Sequence, residues 1–347
     1  MGAIVNKCRL SDYDYNLPEK LIAQKPLEIR DQSRMLVLKR AEEQIDHRVF
    51  SELPVFLKQG DLVVLNNTRV IPARLLGRIA GKTAQAEILL LHKQNDAKWV
   101  AMVKPGRKLK PGARVLFEGA VEALVEDYYK EELRLISFSA DRPIEELLPK
   151  LGKVPLPPYI KKEVDYPEQY QTIYAEKAGS AAAPTAGFHF TDEVFKALEA
   201  KGIETAYITL HIGPGTFQPV KTEDIREHKM HSEFYRIDNN TAETISKARK
   251  ERRRVVAVGT TVCRVLETVA SEAGLVKAQD GWTDLYIYPG FKFRLVEAML
   301  TNFHLPRSTL LMLINAFGGY DPVMRAYHEA VEKQYRFYSF GDCMLII

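Results

Sequence analysis

The sequence has few cysteines, and they are scattered. Three occur in 347 residues, and no two of them form a Cys-x-x-Cys pair. Three widely separated cysteines argue against a disulfide framework, and the absence of Cys-x-x-Cys argues against a structural zinc site. This cysteine usage fits a reducing compartment, and we expect a cytoplasmic protein.

Long apolar runs are absent as well. No stretch of about 18 consecutive apolar residues occurs, which argues against a membrane-spanning helix. The N-terminal MGAIVNKCRL has an apolar patch only from Ala3 to Val5, which is too short for a signal peptide. We therefore expect neither membrane insertion nor export.

The chain also lacks a large net charge. Lys and Arg total 49 and Asp and Glu total 45, which gives a formal net charge of +4. Overall charge therefore does not indicate a nucleic-acid partner, and local clusters have to decide that question. With 46% hydrophobic and 27% charged residues, the composition and length are those of a globular protein of about two domains.

Two hydrophobic patterns divide the chain. From Asp61 to Ala140, short apolar segments alternate with turn clusters, which indicates an antiparallel sheet or small barrel. On either side, strands alternate with helices of roughly 10 to 15 residues, as in parallel βαβ units. The predicted fold is α/β, a mostly parallel sheet with flanking helices from residues 1–66 and 151–347, with an antiparallel β-barrel inserted at residues 67–150.

Individual elements follow from the same patterns. TDEVFKALEAKG has Thr191 as a helix N-cap, acidic residues in its first turn and Gly202 after its end. We predict strands at MLVLKR, LVVLNN, IETAYITLHI, RVVAVG and DLYIYPG, and further helices at NNTAETISKARKERR, TVCRVLETVASEAG, STLLMLINAFGG and DPVMRAYHEAVEK.

Glycines and hydrogen-bonding residues follow the predicted strands, where ligands bind in open parallel sheets. GTT at a helix start is neither G-x-G-x-x-G nor a P-loop, so a dinucleotide fold is not indicated. Cys263 in that helix is interpreted as a small buried side chain. The residues at the predicted strand ends are His211, Gly213, Gly215, Gly259, Thr260, Thr261 and Gly290.

Residues 179–190, GSAAAPTAGFHF, combine three alanines with Pro184 and Gly187. Proline and glycine inside a helix cost about 3 and 1 kcal/mol relative to alanine, so we predict a loop. Small residues let backbone amides approach a ligand, and the loop leads into a helix N-terminus. A lone histidine between aromatic residues is most often structural, but this loop favours a site role for His189. Thr185, Gly187 and His189 are therefore candidate site residues.

Three further segments carry candidate residues. HKMHSEF lacks a standard zinc spacing, which favours an acid–base pair of His231 and Glu233 over a metal site. His304 in TNFHLPRS is either a cap or a substrate contact. VVLNNTRVIPARL places Arg69 and Arg74 near the domain junction, where pockets are common, but a turn with solvated arginines is an equal alternative.

Two clusters of basic residues differ in their surroundings. KARKERRR ends a predicted helix, where the helix dipole alone favours basic residues. KPGRKLKPGAR forms a short loop of the predicted barrel and contains no acidic residue. We interpret Lys104, Arg107, Lys108 and Lys110 of this loop as contacts to RNA phosphates.

Eight motifs occur in order over nearly the whole chain: NNTRVIPARL, VPLPPYI, SAAAPTAGFHF, TLHIGPGTFQPV, HKMHSEFY, VAVGTT, IYPGF and TNFHLPRSTL. Together they resemble the S-adenosylmethionine:tRNA ribosyltransferase-isomerase family of queuosine biosynthesis. The family pattern commonly has a hydroxyl residue after GTT, where this chain has Val262, so no side-chain hydroxyl contact is expected there.

The resemblance implies a reaction and its partners. An enzyme of this family moves the ribosyl group of S-adenosylmethionine onto 7-aminomethyl-7-deazaguanine at the wobble position of tRNA and isomerises it. Epoxyqueuosine forms, and adenine and methionine are released. S-adenosylmethionine is then a substrate, no metal or other cofactor is expected, and the chain is expected to act as a monomer with its tRNA.

The implied chemistry assigns roles to the candidates. A sulfonium acidifies the protons of the adjacent ribose carbon, and His189 or His211 would be the base that removes one. His231 and Glu233 would manage the leaving adenine or the incoming amine. Phe188 or Phe190 could face the sulfonium, although core packing is the alternative. The substrate contacts would be Arg69, Arg74, Thr185, Gly187, Gly213, Gly215, Gly259, Thr260, Thr261 and His304.

Two other functions remain open from the sequence. An S-adenosylmethionine methyltransferase would suit the strand and its GTT turn, but it would form S-adenosylhomocysteine in place of adenine and methionine. A non-catalytic RNA-binding barrel would depend on the basic loop and not on His189 or His211.

Overall fold

The structure is a computed structural model that describes residues 7–95, 98–129, 133–162, 166–213 and 220–347. By compactness these residues form two units. The first consists of the described part of Met1–Thr68 with Pro158–Lys177 and Pro184–Ile347, and the second of Arg69–Pro157 and Ala178–Ala183. Residues 151–157 thus group with the second unit, whereas the sequence places them in the α/β domain.

The described residues contain 18 strands. Their bounds are β1 Arg34–Lys39, β2 Gln44–Val49, β3 Leu62–Asn66, β4 Thr68–Val70, β5 Arg74–Ile79, β6 Gln85–Asn95, β7 Lys98–Lys104, β8 Arg114–Leu116, β9 Glu122–Tyr129, β10 Leu133–Ser139, β11 Gly152–Lys153, β12 Lys177–Ser180, β13 Glu204–Leu210, β14 Glu233–Ile237, β15 Val255–Val258, β16 Gln279–Thr283, β17 Ala298–Asn302 and β18 Cys343–Ile346.

Seven α-helices occur in the same described ranges, together with short 3-10 turns. They are α1 Leu53–Phe56, α2 Ile144–Leu151, α3 Asp192–Ala200, α4 Asn239–Lys250, α5 Thr260–Val269, α6 Thr309–Gly318 and α7 Tyr320–Glu332. No helix of the described chain is long and apolar enough to cross a membrane.

The first unit is built on one large sheet. Its nine strands, counted over the described residues, follow the order β16-β14-β13-β3-β15-β17-β18-β1-β2. Strands β13, β3, β15 and β17 are parallel neighbours, and β1 is parallel to β18, whereas β18 is antiparallel to β17. Antiparallel pairs complete both ends. The predicted α/β sheet with flanking helices is confirmed.

The central strands are mostly apolar along their whole length, as expected for a sheet that is buried on both faces. Every residue of β3, β15, β17 and β18 is buried. On one face, Phe50, Phe190 and Leu198 pack with Val63 and Leu65 of β3 in a single hydrophobic cluster. This packing fixes the strands whose ends carry the candidate site.

The second unit is a closed antiparallel β-barrel, as predicted. Strands β5, β6, β7, β10, β9 and β8 pair in this order, and β5 pairs with β8 to close the barrel. Gly77 of β5 lies at the closure, where a Cβ would come within 2.7 Å of the Leu116 carbonyl oxygen and 2.8 Å of a Val115 methyl. Glycine therefore lets the first and last strands approach each other.

One predicted strand is wrong. DLYIYPG, residues 284–290, contains no strand, and Gly290 therefore does not follow one; the strand nearby is β16, which ends at Thr283. Side chains take up the backbone groups that a neighbouring strand would need. Arg264 Nε donates to the Leu285 carbonyl at 2.9 Å, and the Leu285 amide donates to Thr283 Oγ1 at 3.3 Å.

Candidate active site

Four strand ends meet at one edge of the large sheet. Because β13, β3, β15 and β17 are parallel neighbours, their carboxyl ends lie side by side. Strand β1 begins at the same edge, since Met35 and Asn302 both pair with Cys343 of β18. His211, Gly259 and Asn302 lie at these ends, where ligands bind in open parallel sheets.

Asn66 fixes the end of β13. Its side-chain amide donates to the Leu210 carbonyl at 3.0 Å, and its Oδ1 accepts from the amides of Leu210 at 3.0 Å and Thr68 at 3.1 Å. Asn66 is fully buried. The side chain thus replaces backbone pairing at the point where the next residue, His211, leaves the strand.

His211 has one ring nitrogen bound and one available. Nδ1 lies 2.8 Å from Thr68 Oγ1, and the ring stacks on Phe234 with centroids 5.9 Å apart. Nε2 has no hydrogen-bond partner among the described residues. Burial, with a smaller contribution from Arg236, lowers the pKa of His211 to about 4. The imidazole is therefore neutral near pH 7, the form that a general base requires.

Glu233 is held in a buried ion pair. Its Oε2 lies 2.5 Å from Arg264 Nη1, and its Oε1 accepts from the Gly213 amide at 3.0 Å. Both charged side chains are 4% exposed, whereas His231, its predicted partner, is exposed. Glu233 therefore anchors the segment that follows β13, and Gly215 in that segment lies outside the described residues.

Arg264 was not expected from the sequence. It lies within α5 among buried apolar residues. An arginine inside an apolar helical pattern is the sequence signal that could have identified it as a buried, paired charge. Its Nε and Nη2 donate to the carbonyls of Leu285 and Thr283. A buried charge with its partners in place costs far less than one left unpaired.

The GTT turn opens α5 at the same edge. Gly259 has a φ of 91°, a conformation that favours glycine. Its amide donates to the Leu300 carbonyl at 2.7 Å. Thr260 and Thr261 are buried. Val262, the departure from the family pattern, is buried as well.

His189 uses both ring nitrogens within the protein. Nε2 lies 3.1 Å from Asn302 Oδ1, and Nδ1 lies 2.7 Å from Ser33 Oγ. The Asn302 amide nitrogen donates to the Tyr338 carbonyl at 2.8 Å, so its Oδ1 faces the ring and accepts from Nε2–H. Nδ1 then accepts from the Ser33 hydroxyl. Burial lowers the pKa of His189 to about 4, although the Asn302 bond opposes the shift.

The predicted loop is confirmed for residues 181–190, whereas Gly179 and Ser180 belong to β12, and its small residues pack against protein. Residues Thr185–Gly187 form one 3-10 turn. A Cβ on Gly187 would come within 1.9 Å of the Tyr174 hydroxyl oxygen, so tertiary packing already requires a glycine. Phe188 and Phe190 are both buried; Phe188 carries the Arg30 guanidinium over its ring at 5.6 Å. Thr185 is half-buried.

His304 follows β17 and is held on several sides. Its Nε2 lies 2.8 Å from Thr301 Oγ1, its amide donates to the Tyr327 hydroxyl at 2.9 Å, and its carbonyl accepts from the Tyr15 hydroxyl. Burial lowers the pKa of His304 to about 3. These bonds give the histidine a defined place in the loop after β17.

The basic loop of the barrel unit presents free cations. All four predicted contacts are exposed, and none has an ion-pair partner among the described residues. Leu109 between them is buried, and Arg134 of β10 donates to the carbonyls of Leu109 at 2.9 Å and Gly106 at 3.3 Å. Arg134, which was not predicted from the sequence as a site residue, therefore holds the backbone of the loop in place. The four residues are Lys104, Arg107, Lys108 and Lys110.

Arg69 and Arg74 also belong to the barrel unit. Arg74 Nη2 lies 2.7 Å from Glu87 Oε2 of the neighbouring strand β6. The structure brings no group of three or more His, Cys, Asp or Glu residues within its described ranges together as a metal site.

Comparisons with protein families, with individual proteins and with solved structures all give the same family for this chain. The family described as Queuosine biosynthesis protein matches residues 10–346. The S-adenosylmethionine:tRNA ribosyltransferase-isomerase of Carboxydothermus hydrogenoformans is 54% identical over 344 residues, which cover 98% of this chain and 100% of that protein. The protein of the same name from Symbiobacterium thermophilum is 53% identical over 340 residues, with 98% and 100% covered.

A solved structure is similar over the same length. The crystal structure of the S-adenosylmethionine tRNA ribosyltransferase from Thermotoga maritima is 38% identical in sequence. It covers 97% of this chain and 100% of its own, with a TM-score of 0.55. The chain therefore belongs to the S-adenosylmethionine:tRNA ribosyltransferase-isomerase family of queuosine biosynthesis.

Proposed function

We propose that this chain transfers the ribosyl group of S-adenosylmethionine to 7-aminomethyl-7-deazaguanine at the tRNA wobble position and isomerises it, which gives epoxyqueuosine, adenine and methionine. The match to the family over residues 10–346 carries the proposal. S-adenosylmethionine is consumed as a substrate, and the chemistry requires no separate cofactor. The enzyme acts as a monomer in the cytoplasm, where its tRNA is found.

His211 is the base in this proposal. The sulfonium acidifies a proton on the adjacent ribose carbon, and His211 Nε2 accepts it. The resulting ylide expels adenine, the amine of the modified base attacks, and rearrangement of the ring releases methionine. Support comes from the position of His211 at the carboxyl end of β13 and from its hydrogen bonds. The Thr68 hydroxyl donates to the Lys177 carbonyl at 3.5 Å and so accepts from His211 Nδ1–H, which leaves the lone pair on Nε2.

His189 has a positioning role in the same proposal. A base must present an unoccupied lone pair to its substrate. The bonds to Ser33 and Asn302 use both nitrogens of His189, and its side chain is 4% exposed. We assign it the task of joining the start of β1 to the end of β17, which keeps the sheet edge in register.

The remaining contacts divide between the substrates. The start of α5 and the segment after β13, which Glu233 holds through Gly213, bind S-adenosylmethionine. The four free cations of the barrel loop bind tRNA phosphates, because such residues form salt-dependent contacts to nucleic acid. Exposed His231 and the arginines Arg69 and Arg74 are assigned to the tRNA side.

Product analysis tests the function. The protein is incubated with S-adenosylmethionine and tRNA carrying 7-aminomethyl-7-deazaguanine, and adenine, methionine and tRNA mass are followed. We expect adenine and methionine in equal amounts and epoxyqueuosine in the tRNA. S-adenosylhomocysteine would indicate a methyltransferase, and tRNA binding without any product would indicate a non-catalytic RNA-binding protein.

A further inference from the structure

The N-terminus of α5 is buried and has no side-chain cap. Gly259 is the N-cap and offers no capping atom. Cys263 is the first residue whose amide donates within the helix, to the Gly259 carbonyl at 3.2 Å. The amides of Thr260, Thr261 and Val262 have no acceptor in the helix, yet these residues are only 6%, 8% and 0% exposed. A buried helix end of this kind needs an acceptor from elsewhere.

The Thr261 hydroxyl independently indicates a ligand. Its Oγ1 is buried and has no hydrogen-bond partner among the described residues, whereas nearly all buried polar atoms in proteins have one. A Cβ placed on Gly259 would lie 3.5 Å from this oxygen and 3.6 Å from the Ala186 Cβ. The hydroxyl therefore faces the space above Gly259, at the open start of the helix.

We propose that the first three amides of α5 and the Thr261 hydroxyl bind the carboxylate of the methionyl group of S-adenosylmethionine. This assignment rests on the proposed function and specifies one subsite of it. The positive end of the helix dipole favours an anion, and four donors suit the acceptor positions of one carboxylate. The φ of 91° at Gly259 favours glycine, and without a side chain at this position the space above the amides stays open.

Burial decides between the two anions that the substrates carry. A tRNA phosphate belongs to a polymer that must lie along an open surface, whereas Thr260 and Thr261 are more than nine-tenths buried. A carboxylate at the end of a small molecule enters such a site. Strand β15, from which α5 begins, lies directly beside β3 and β17, so the carboxylate is held at the same sheet edge as His211.

Decarboxylated S-adenosylmethionine provides the direct probe, because it lacks only the carboxylate. Dissociation constants of both compounds are measured by calorimetry without tRNA, for the wild type and for Thr261→Val. We expect the wild type to bind S-adenosylmethionine at least about tenfold more tightly than the decarboxylated compound, the size of one hydrogen bond to a charged group. Thr261→Val should reduce the ratio of the two dissociation constants several-fold, because it weakens the binding of S-adenosylmethionine and not that of the decarboxylated compound.

Two further variants separate ligand binding from folding. Thr261→Ser keeps the hydroxyl and should retain the ratio. Thr268→Val removes a hydroxyl from the same helix that donates to the Arg264 carbonyl at 2.7 Å; it should lower stability but leave the ratio unchanged. Circular dichroism confirms that each variant is folded.

Two results would overturn the assignment. One is equal wild-type affinity for the two compounds. The other is a Thr261→Val protein with an unchanged ratio but weaker, less salt-dependent tRNA binding, which would place a phosphate at this helix. Failure of the proposed function is a separate result, since it appears as absent adenine release whatever the two dissociation constants are.

Discussion

At the scale of single residues, His211 is expected to determine the rate of the chemical step. A positioned general base contributes about 10²- to 10⁴-fold to a rate. His211→Gln should therefore reduce adenine release at least about 100-fold while the dissociation constant for S-adenosylmethionine changes little. Single-turnover release of adenine, measured with saturating substrates, is the appropriate assay.

His231→Gln serves as the comparison variant because His231 is exposed, and with saturating tRNA a contact on the tRNA side does not limit the release of adenine. Its adenine release should stay within a few-fold of the wild type. If His231→Gln abolished release and His211→Gln did not, the base would be assigned to the wrong histidine.

His189 should make stability depend on pH. Its pKa in the folded protein, about 4, is below the ordinary value of 6.5, so the unfolded chain binds a proton more readily between these values. The contribution of neutral His189 to the free energy of unfolding is therefore fully present above about pH 6.5 and is lost as the pH falls toward 4. His189 alone should account for about 2 kcal/mol of lost unfolding free energy between pH 7 and 4.5.

Urea denaturation at the two pH values measures this loss. His189→Gln removes the titrating group, so the fall in unfolding free energy between pH 7 and 4.5 should be smaller than in the wild type. An equal fall in both proteins would contradict the assignment of a depressed pKa to this side chain.

The sequence indicated the site histidines but not their partners. His189 and His211 follow from a loop motif and a strand end, both of which are local patterns. Ser33 and Asn302, which bind His189, are 156 and 113 positions away along the chain. Such contacts are created by the strand order, and no local spacing in the sequence contains them.

At the scale of elements, local sequence patterns predicted secondary structure correctly where the hydrogen bonds of the backbone are made within the same element. Thr191 is the N-cap of α3, as expected, and accepts from the Val194 amide at 3.3 Å. The segment 284–290 has the apolar alternation of a strand, but Arg264 and Thr283 bind its backbone. A propensity pattern reveals neither the hydrogen bond from Arg264, which lies 21 positions away from Leu285, nor the competition from the neighbouring Thr283 hydroxyl.

The barrel loop is expected to contribute affinity for tRNA only. Replacing Lys104, Arg107, Lys108 and Lys110 together by alanine should raise the KM for tRNA and leave the KM for S-adenosylmethionine unchanged. In a plot of log affinity against log salt concentration, each lost phosphate contact should reduce the slope by up to about 0.9. Steady-state kinetics measures the two KM values, and filter binding at several salt concentrations measures the slope.

Lys82→Ala is the control for this loop, since Lys82 is an exposed lysine in another turn of the same unit. It should leave both the affinity and the slope unchanged. An unaltered slope in the fourfold variant would remove the loop from the tRNA interface.

At the scale of the whole molecule, alternation of hydrophobic patterns was sufficient to predict an α/β sheet and a barrel. The order of the strands was not predictable in the same way. Strand β18, Cys343–Ile346, inserts between β17 and β1 and is antiparallel to one and parallel to the other. Its pairing partner β1 begins at residue 34. A contact between residues so far apart in the chain cannot be predicted from a short segment of the sequence.

Each unit has its own buried core, one around β3 and β15 and one inside the barrel. Gly77 therefore offers a way to perturb one unit selectively. In Gly77→Val, the Cβ would come within 2.7 Å of the Leu116 carbonyl oxygen, so β5 and β8 would have to separate and the barrel would open. Steric overlap of this kind typically costs about 1 to 3 kcal/mol.

Hydrogen exchange followed by mass spectrometry resolves the two units. Amides of β5 and β8 should lose protection in Gly77→Val, while amides of β3 and β15 keep theirs, because local opening follows cooperative units of structure. The same protein should bind S-adenosylmethionine normally and tRNA weakly. Equal loss of protection in both units would mean that the barrel and the sheet unfold as one cooperative body, and that the two substrates' sites cannot be perturbed separately.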